Sequence, residues 1–251
     1  MKWGGDDDDS DNHNMNDPAL LLVHGFAASV EQWERFVYAL KAEARIANGE
    51  NAKVPTIYAI DLLGFGHSEK PGFSYTQYLW EAQIVDFVRE IVRGPVALMG
   101  NSIGGGLSAG AASTLGDACR GVVLCNTAGN VVSPNDYVDP ITIDGTVGEL
   151  TRTGQIEGHK PLPLGKRSPV LLDLFGYGIL GTIGPSIRKR LVDIYTENPG
   201  NADDALAFAI EQSAAFPGSP NVIGCGQKLA PNRPLNEVLG ASHGFGGPVL
   251  V

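Results

Sequence analysis

Val96-Ala97-Leu98-Met99-Gly100-Asn101-Ser102-Ile103-Gly104-Gly105-Gly106 is the stretch whose reading decides the fold. A short apolar strand runs straight into Gly100-Asn101-Ser102-Ile103-Gly104, the G-x-S-x-G form of a sharp strand-to-helix turn that lifts a serine above the end of a sheet. At so tight a bend a side chain at position 100 or 104 would collide with the neighbouring backbone, so both places require glycine. The spacing predicts a helix over 104–114, packed against the sheet from which the serine projects.

Outward from this turn the pattern repeats. Ala19-Leu20-Leu21-Leu22-Val23 is a continuous apolar run, as expected of a strand buried on both faces. Thr56–Leu62 and Val122–Cys125 read as further strands. Between them, Val30–Arg45 has helical spacing with Trp33, Phe36, Val37 and Leu40 on one face, and Gln77–Val92 is helical with Leu79, Ile84, Phe87, Val88 and Ile91 turned inward. Strands alternating with amphipathic helices imply the α/β class, a mostly parallel sheet covered by helices on both faces. The expected organisation is an acidic, disordered segment over 1–18, a core over 19–128, an inserted helical lid over 129–235, and a return to the core over 236–251. The lid is rich in Gly and Pro, with helices at about 169–180, 185–197 and 202–215. Pro248–Val251 reads as a fifth strand.

A serine hydroxyl is a weak nucleophile and needs a base to take its proton. It also needs donors for the oxyanion that forms on attack. In this geometry the first donor is the backbone N–H of the residue after the serine, here Ile103, and the second comes from a loop after an earlier strand. Leu22-Val23-His24-Gly25-Phe26 is such a loop: the N–H of Phe26 is the second donor, Gly25 allows close approach, and His24 supports the loop. Each donor is worth roughly 3–4 kcal/mol of barrier.

These residues resemble the α/β-hydrolase superfamily. The resemblance rests on His24-Gly25-Phe26, then Asp61-Leu62-Leu63-Gly64-Phe65-Gly66-His67-Ser68, then the elbow with its supporting Gly100, Asn101 and Gly104. It covers about residues 19–130 and, weakly, 185 onward, and is nearest in character to lid-bearing esterase-like and epoxide-hydrolase-like members, those of photosynthetic organisms included. It implies that the D-x-x-G-x-G-x-S turn at 61–68 is structural. It also implies Ser102 as the nucleophile, which sets aside the members that attack with an aspartate. In the family the order is serine, acid, histidine. The acid lies beyond the strand after the lid, so this chain is expected to be truncated, without the last strand and helix or the first strands. Weak substitutes are Asp136, Asp139 and Asp144 for the acid and His243 or His159 for the base. Without a base about 10⁶ of turnover is lost, so the expectation is a serine hydrolase of an ester-type, hydrophobic small molecule, near-inert as given. The alternative is a non-catalytic ligand-binding relative.

Composition narrows the remainder. With 28 acidic against 18 basic residues the net charge is −10, opposite to what nucleic acid or an anionic membrane surface would recruit. No apolar run is long enough to span a bilayer. Three cysteines (Cys119, Cys125, Cys225) lack metal spacing and read as reduced thiols. The Asp6–Asp9 run lacks the Gly and Glu of a calcium loop. Gly104-Gly105-Gly106-Leu107-Ser108-Ala109 matches a dinucleotide fingerprint, but Leu124-Cys125-Asn126 offers no acid at the next strand end. Close helix-on-sheet packing explains these glycines better. No metal or cofactor is expected. No targeting signal is legible, so the location is unknown, cytoplasmic by default or plastid should the N-terminus be incomplete. Self-association through an exposed sheet edge is expected.

Overall fold

The computed structural model describes residues 1–3, 17–49, 53–72, 75–131, 170–226, 234–240 and 244–251. Among the described residues, six strands form one sheet: β1 (Lys2–Trp3), β2 (Ala19–Val23), β3 (Ile57–Ile60), β4 (Val96–Asn101), β5 (Cys119–Cys125) and β6 (Val249–Leu250). Their spatial order is β1-β3-β2-β4-β5-β6, parallel throughout except for β1. The chain steps outward from β2 to β3, then returns past β2 to lay down β4. The order therefore reverses between β2 and β4, which opens a crevice beyond their C-terminal ends.

Helices α1 (Glu34–Asn48), α2 (Gln77–Phe87) and α3 (Ile103–Leu115) connect these strands, followed by α4 (Val170–Ile183), α5 (Ile187–Ile194), α6 (Asp204–Ala215), α7 (Ser219–Gly226) and α8 (Leu235–Leu239). The two-residue period of β2 divides its side chains between two buried layers. Leu21 and Val23 join Trp80, Ile84, Leu98 and Leu107 on one face, while Leu22 joins Trp33, Val37 and Ile57 on the other. That double burial is why the run 19–23 contains no polar residue.

Several expectations need correction. Residues 1–3 are not part of a disordered segment: Lys2 and Trp3 pair antiparallel with Tyr58 and Ile57, and the terminal ammonium donates to the Ala59 carbonyl at 2.8 Å. Order therefore does not begin at Ala19, because Trp3 supplies apolar surface to the layer beneath β3. Ile91 lies at the surface rather than inward. The helix passes at Val88–Val92 into a π-helical turn, whose wider winding breaks the 3.6-residue phase, while Trp80 near its start is fully buried. The helix expected from Val30 opens with a 3₁₀ turn, Val30–Trp33, before α1. Residues 4–16, part of the expected acidic segment, lie outside the described residues.

The D-x-x-G-x-G-x-S turn has a structural role. The Asp61 carboxylate accepts the N–H groups of Val30 (2.8 Å) and His67 (2.9 Å), which joins the loop after β2 to the loop after β3. Gln83 clamps the same turn, accepting from Leu63 N–H and donating to the Asp61 carbonyl. Gly66 has φ +48, and a Cβ there would overlap the Asp61 carboxylate. On its outer side the turn meets α6 and α7: Gly66 N–H donates to Ser213 Oγ at 3.0 Å, Val222 packs against Gly64, and the Lys70 ammonium lies 4.9 Å from the centre of the Phe216 ring.

His24 links the first two core strands. It is fully buried, its Nε2 accepts the Leu62 N–H at 3.0 Å, and its Nδ1 lies 2.7 Å from the Gly25 carbonyl oxygen. An accepting Nε2 carries no proton, so the ring is the neutral Nδ1–H tautomer. Burial holds its pKa below the ordinary value of 6.5, outweighing the Gly25 bond and the Asp61 carboxylate, which both favour the charged ring.

Two outcomes follow for stability. Gly66→Ala is expected to destabilise by about 1–3 kcal/mol, read by thermal melting. Gly116→Ala, at φ +54 with open space around it, should lower the melting temperature less, since it adds only backbone strain. Because His24 stays neutral in the fold, the unfolded chain takes up a proton that the native chain refuses. Its contribution is thus fully present above pH 6.5 and lost as pH falls below it, by at most about 1.4 kcal/mol per pH unit. Urea unfolding of wild type and His24→Gln at pH 7.5 and 5.5 checks this: the pH-dependence should be shallower in the variant.

Candidate active site

Register brings the two key loops together. Val23 of β2 is paired with Gly100 of β4, so Gly25 and Ser102, each two residues further on, leave the sheet side by side. A Cβ on Gly25 would stand 3.4 Å from Ser102 Cβ and 3.0 Å from Asn101 Oδ1, a spacing that leaves little room for a larger residue. Ser102 has φ 54 and ψ −121 and immediately precedes α3, a conformation that L-residues avoid.

The surroundings hold that conformation from every side. Ser102 N–H donates to the Cys125 carbonyl at 3.0 Å, and its carbonyl accepts from Gly105 (3.1 Å) and Ala128 (2.7 Å). Each glycine of the elbow answers a different neighbour: a Cβ at 100 would overlap the Gly104 carbonyl, one at 104 the carbonyls of Val23 and His24, one at 105 the Thr127 side chain, and one at 106 the Ala128 carbonyl oxygen. Close backbone packing thus accounts for the Gly-rich run.

The Gly25–Phe26 peptide is pinned by its carbonyl, which accepts from His24 Nδ1–H and from Ala28 N–H at 3.2 Å. A planar trans peptide places its N–H opposite its C=O, so the Phe26 N–H faces away from both. Among the described residues it has no acceptor. Ile103 is the first residue of α3, where N–H groups lack intrahelical partners and the helix dipole presents its positive end.

Two residues that sequence reading passed over or underweighted complete the arrangement. Gln32 Oε1 accepts the Gly25 N–H at 3.1 Å and Gln32 Nε2 donates to Asn101 Oδ1 at 2.9 Å. Asn101 Nδ2 in turn donates to the Cys125 carbonyl at 3.2 Å. Within the helical pattern Gln32 occupies what reads as a polar face, and no spacing marks it. Beside Ile103 lies a hollow lined by Trp80, Leu107, Leu235 and Val238, with Gln77 and Glu81 at its polar side.

The structure brings Ser102, Ile103, Gly100, Asn101 and Gly104 to one strand end and His24, Gly25 and Phe26 to its neighbour. Ser102 Oγ makes no hydrogen bond to any described residue. Both nitrogens of His24 are occupied by main-chain groups, and the exposed ring of His67 lies 2.9 Å from Glu31 Oε1. Asp136, Asp139, Asp144, His159 and His243 lie outside the described residues. Among those described, no cluster of three or more His, Cys, Asp or Glu residues could hold a metal ion. No described helix is long and apolar enough to cross a membrane.

Comparison with known proteins agrees with this fold. The family model described as the alpha/beta hydrolase fold matches residues 18–155. The chain is similar to 2-hydroxy-6-oxo-6-(2'-aminophenyl)hexa-2,4-dienoic acid hydrolase of Metapseudomonas resinovorans, 29% identical over 147 residues, 57% of this chain and 46% of that protein. It is also similar to 2-hydroxymuconate semialdehyde hydrolase of Pseudomonas sp. (strain CF600), 32% identical over 111 residues, 44% of this chain and 36% of that one. The chain thus spans less than half the length of these two relatives. Among solved structures, E-2-(acetamidomethylene)succinate hydrolase superposes with a TM-score of 0.54 at 18% identity, over 92% of this chain and 71% of that one. With a strained serine between a strand and a helix, and a family model that matches more than half of the chain, the chain belongs to the α/β-hydrolase fold family.

Proposed function

We propose that this chain is a serine hydrolase acting on a small, largely apolar carbonyl compound of the ester type. Ser102 is its nucleophile, and the N–H groups of Phe26 and Ile103 are its oxyanion donors. Ser102 Oγ attacks the substrate carbonyl carbon, a base takes the hydroxyl proton, and the carbonyl oxygen becomes an anion held by the two N–H groups. When the tetrahedral adduct collapses, the proton passes to the departing alcohol, and water then releases the acid from Ser102. His24, Gly25, Gly100, Asn101 and Gly104 support this arrangement without touching substrate. Neither His24 nor His67 has a ring nitrogen directed to Ser102, so neither of them is the base.

The observation that carries the reading is the backbone of Ser102, held at φ 54 at the start of a helix and against Gly25. Strain of this kind persists only where surrounding structure over-determines it, and it concentrates at functional sites. The apolar hollow beside Ile103 supports a hydrophobic group on the substrate. The two relatives are named for an oxo-acid and a semialdehyde, which also bear carbonyl groups.

A single-turnover measurement suits a chain whose base is unassigned. Incubation with a fluorophosphonate should give one adduct per chain, located at Ser102 by peptide mass spectrometry and absent in Ser102→Ala. Turnover of p-nitrophenyl butyrate should be abolished in the same variant. An adduct elsewhere, or none, would overturn the assignment and leave ligand binding as the better account.

A further inference from the structure

We propose that Gln32 is a positioning residue for the oxyanion donors, acting through a directed chain of two side-chain amides that ties the loop after β2 to the elbow. The inference rests on the serine-hydrolase reading. Its basis is the order of four groups: Gly25 N–H, the Gln32 amide, the Asn101 amide and the Cys125 carbonyl, joined at 3.1, 2.9 and 3.2 Å.

An amide side chain can usually be turned end for end at little cost. Here it cannot. Gly25 N–H can only donate, so it must meet an oxygen, Oε1 of Gln32. The Cys125 carbonyl can only accept, so it must meet a nitrogen, Nδ2 of Asn101. Main-chain groups therefore dictate both outer ends, and the middle contact can only run from Gln32 Nε2 to Asn101 Oδ1. Reversing either amide would place two donors or two acceptors face to face, and reversing Gln32 would also leave the part-buried Gly25 N–H unpaired.

What this chain fixes is the separation between the two loops. Gly25 is held from its N–H by Gln32, while its carbonyl is held by His24 and Ala28. Both peptide planes flanking Gly25 are thus set, and the second of them carries the Phe26 N–H. At the other end, Asn101 and Ser102 N–H share the Cys125 carbonyl as acceptor. The strut thereby refers the position of one oxyanion donor to the residue that precedes the nucleophile. Gln32 itself is kept at the right height by the 3₁₀ turn Val30–Trp33, anchored through Val30 N–H on Asp61 and through Gln32 N–H on the Ser29 carbonyl.

The test compares wild type, Gln32→Leu and Gln32→Glu, each checked for a cooperative melt. Two quantities are measured: the fluorophosphonate reaction at Ser102, separated into KI and kinact, and the hydrogen-exchange rate of the Gly25 amide by NMR. Gln32→Leu should lower kinact by about 10- to 100-fold, as expected for a small displacement of a reacting group, with KI within about twofold. It should also speed Gly25 exchange at least tenfold, with amides of β4 and α3 unchanged. Gln32→Glu keeps an acceptor for Gly25, so exchange there should stay near wild type. The loss of its hydrogen to Asn101 should still lower kinact. A folded Gln32→Leu with wild-type exchange at Gly25, or with wild-type kinact, would overturn the proposal. Failure of the wild-type chain to label at Ser102 would instead remove the hydrolase reading, and the exchange measurement would still decide whether Gln32 holds the loop.

Discussion

The backbone of Ser102 adopts a conformation costing about 1–3 kcal/mol for a residue with a side chain, and the packing around it meets that cost from several directions. Its N–H and carbonyl are both taken up by the strand and loop of β5, through Cys125 and Ala128. On the helix side, carbonyl groups of Gly104, Val23 and His24 fill the space that Cβ atoms on Gly100 and Gly104 would need. Relaxing Ser102 to an ordinary helical geometry would break the bond to Cys125 and drive α3 away from β2. The strain is therefore maintained by the same contacts that dock α3 on the sheet.

This coupling extends outward through Asp61. One carboxylate accepts from the turn that carries Gln32 and from the turn that begins at the end of β3. The latter turn rests on α6 and α7 through Ser213, Phe216 and Val222. A second tie crosses from α1, where Arg35 pairs with Asp203 and donates to the Asn201 carbonyl at 3.2 Å. Asp203 also caps α6 by accepting from Leu206 N–H at 2.9 Å. Helices α6 and α7 cannot shift over the crevice without breaking these bonds or carrying the turn with them. The buried neutral ring of His24 is the other cross-link, and it works because one of its nitrogens donates and the other accepts.

How much of this could be read from residues alone depends on the kind of constraint. The strands at 19–23 and 96–99 were legible because double burial forces an unbroken apolar run, although the second continues to Asn101. The elbow was legible because close backbone approach leaves glycine as the only choice at 100 and 104. The Gly104–Gly106 run was correctly attributed to packing, though the partners of each glycine emerge only from the fold. Gln32 was not legible, since its function depends on Gly25 and Asn101, residues that lie near it only through strand register. The exposure of Ile91 was hidden for a related reason: a change of helical winding leaves no mark in apolar spacing. The strand at Lys2–Trp3 was missed because two residues carry too little periodicity to register beside an acidic run.

The described residues also set how much chemistry this half of the site can supply on the proposed reading. Two preorganised N–H donors at roughly 3–4 kcal/mol each amount to a factor of about 10⁵ in rate. Positioning of substrate in the hollow beside Ile103 would add to that. Proton transfer is a separate contribution of about 10²–10⁴, and it requires a group whose pKa lies near the working pH. His24 cannot provide it, because protonating Nε2 would break the Leu62 bond in a site that excludes solvent. An exposed His67 beside Glu31 cannot either, as it lies on the outer turn. The electrostatic and the proton-transfer halves of the reaction are therefore carried by different parts of the molecule. Only the electrostatic half is built from the main chain, which explains why it is so firmly fixed by glycines and amides.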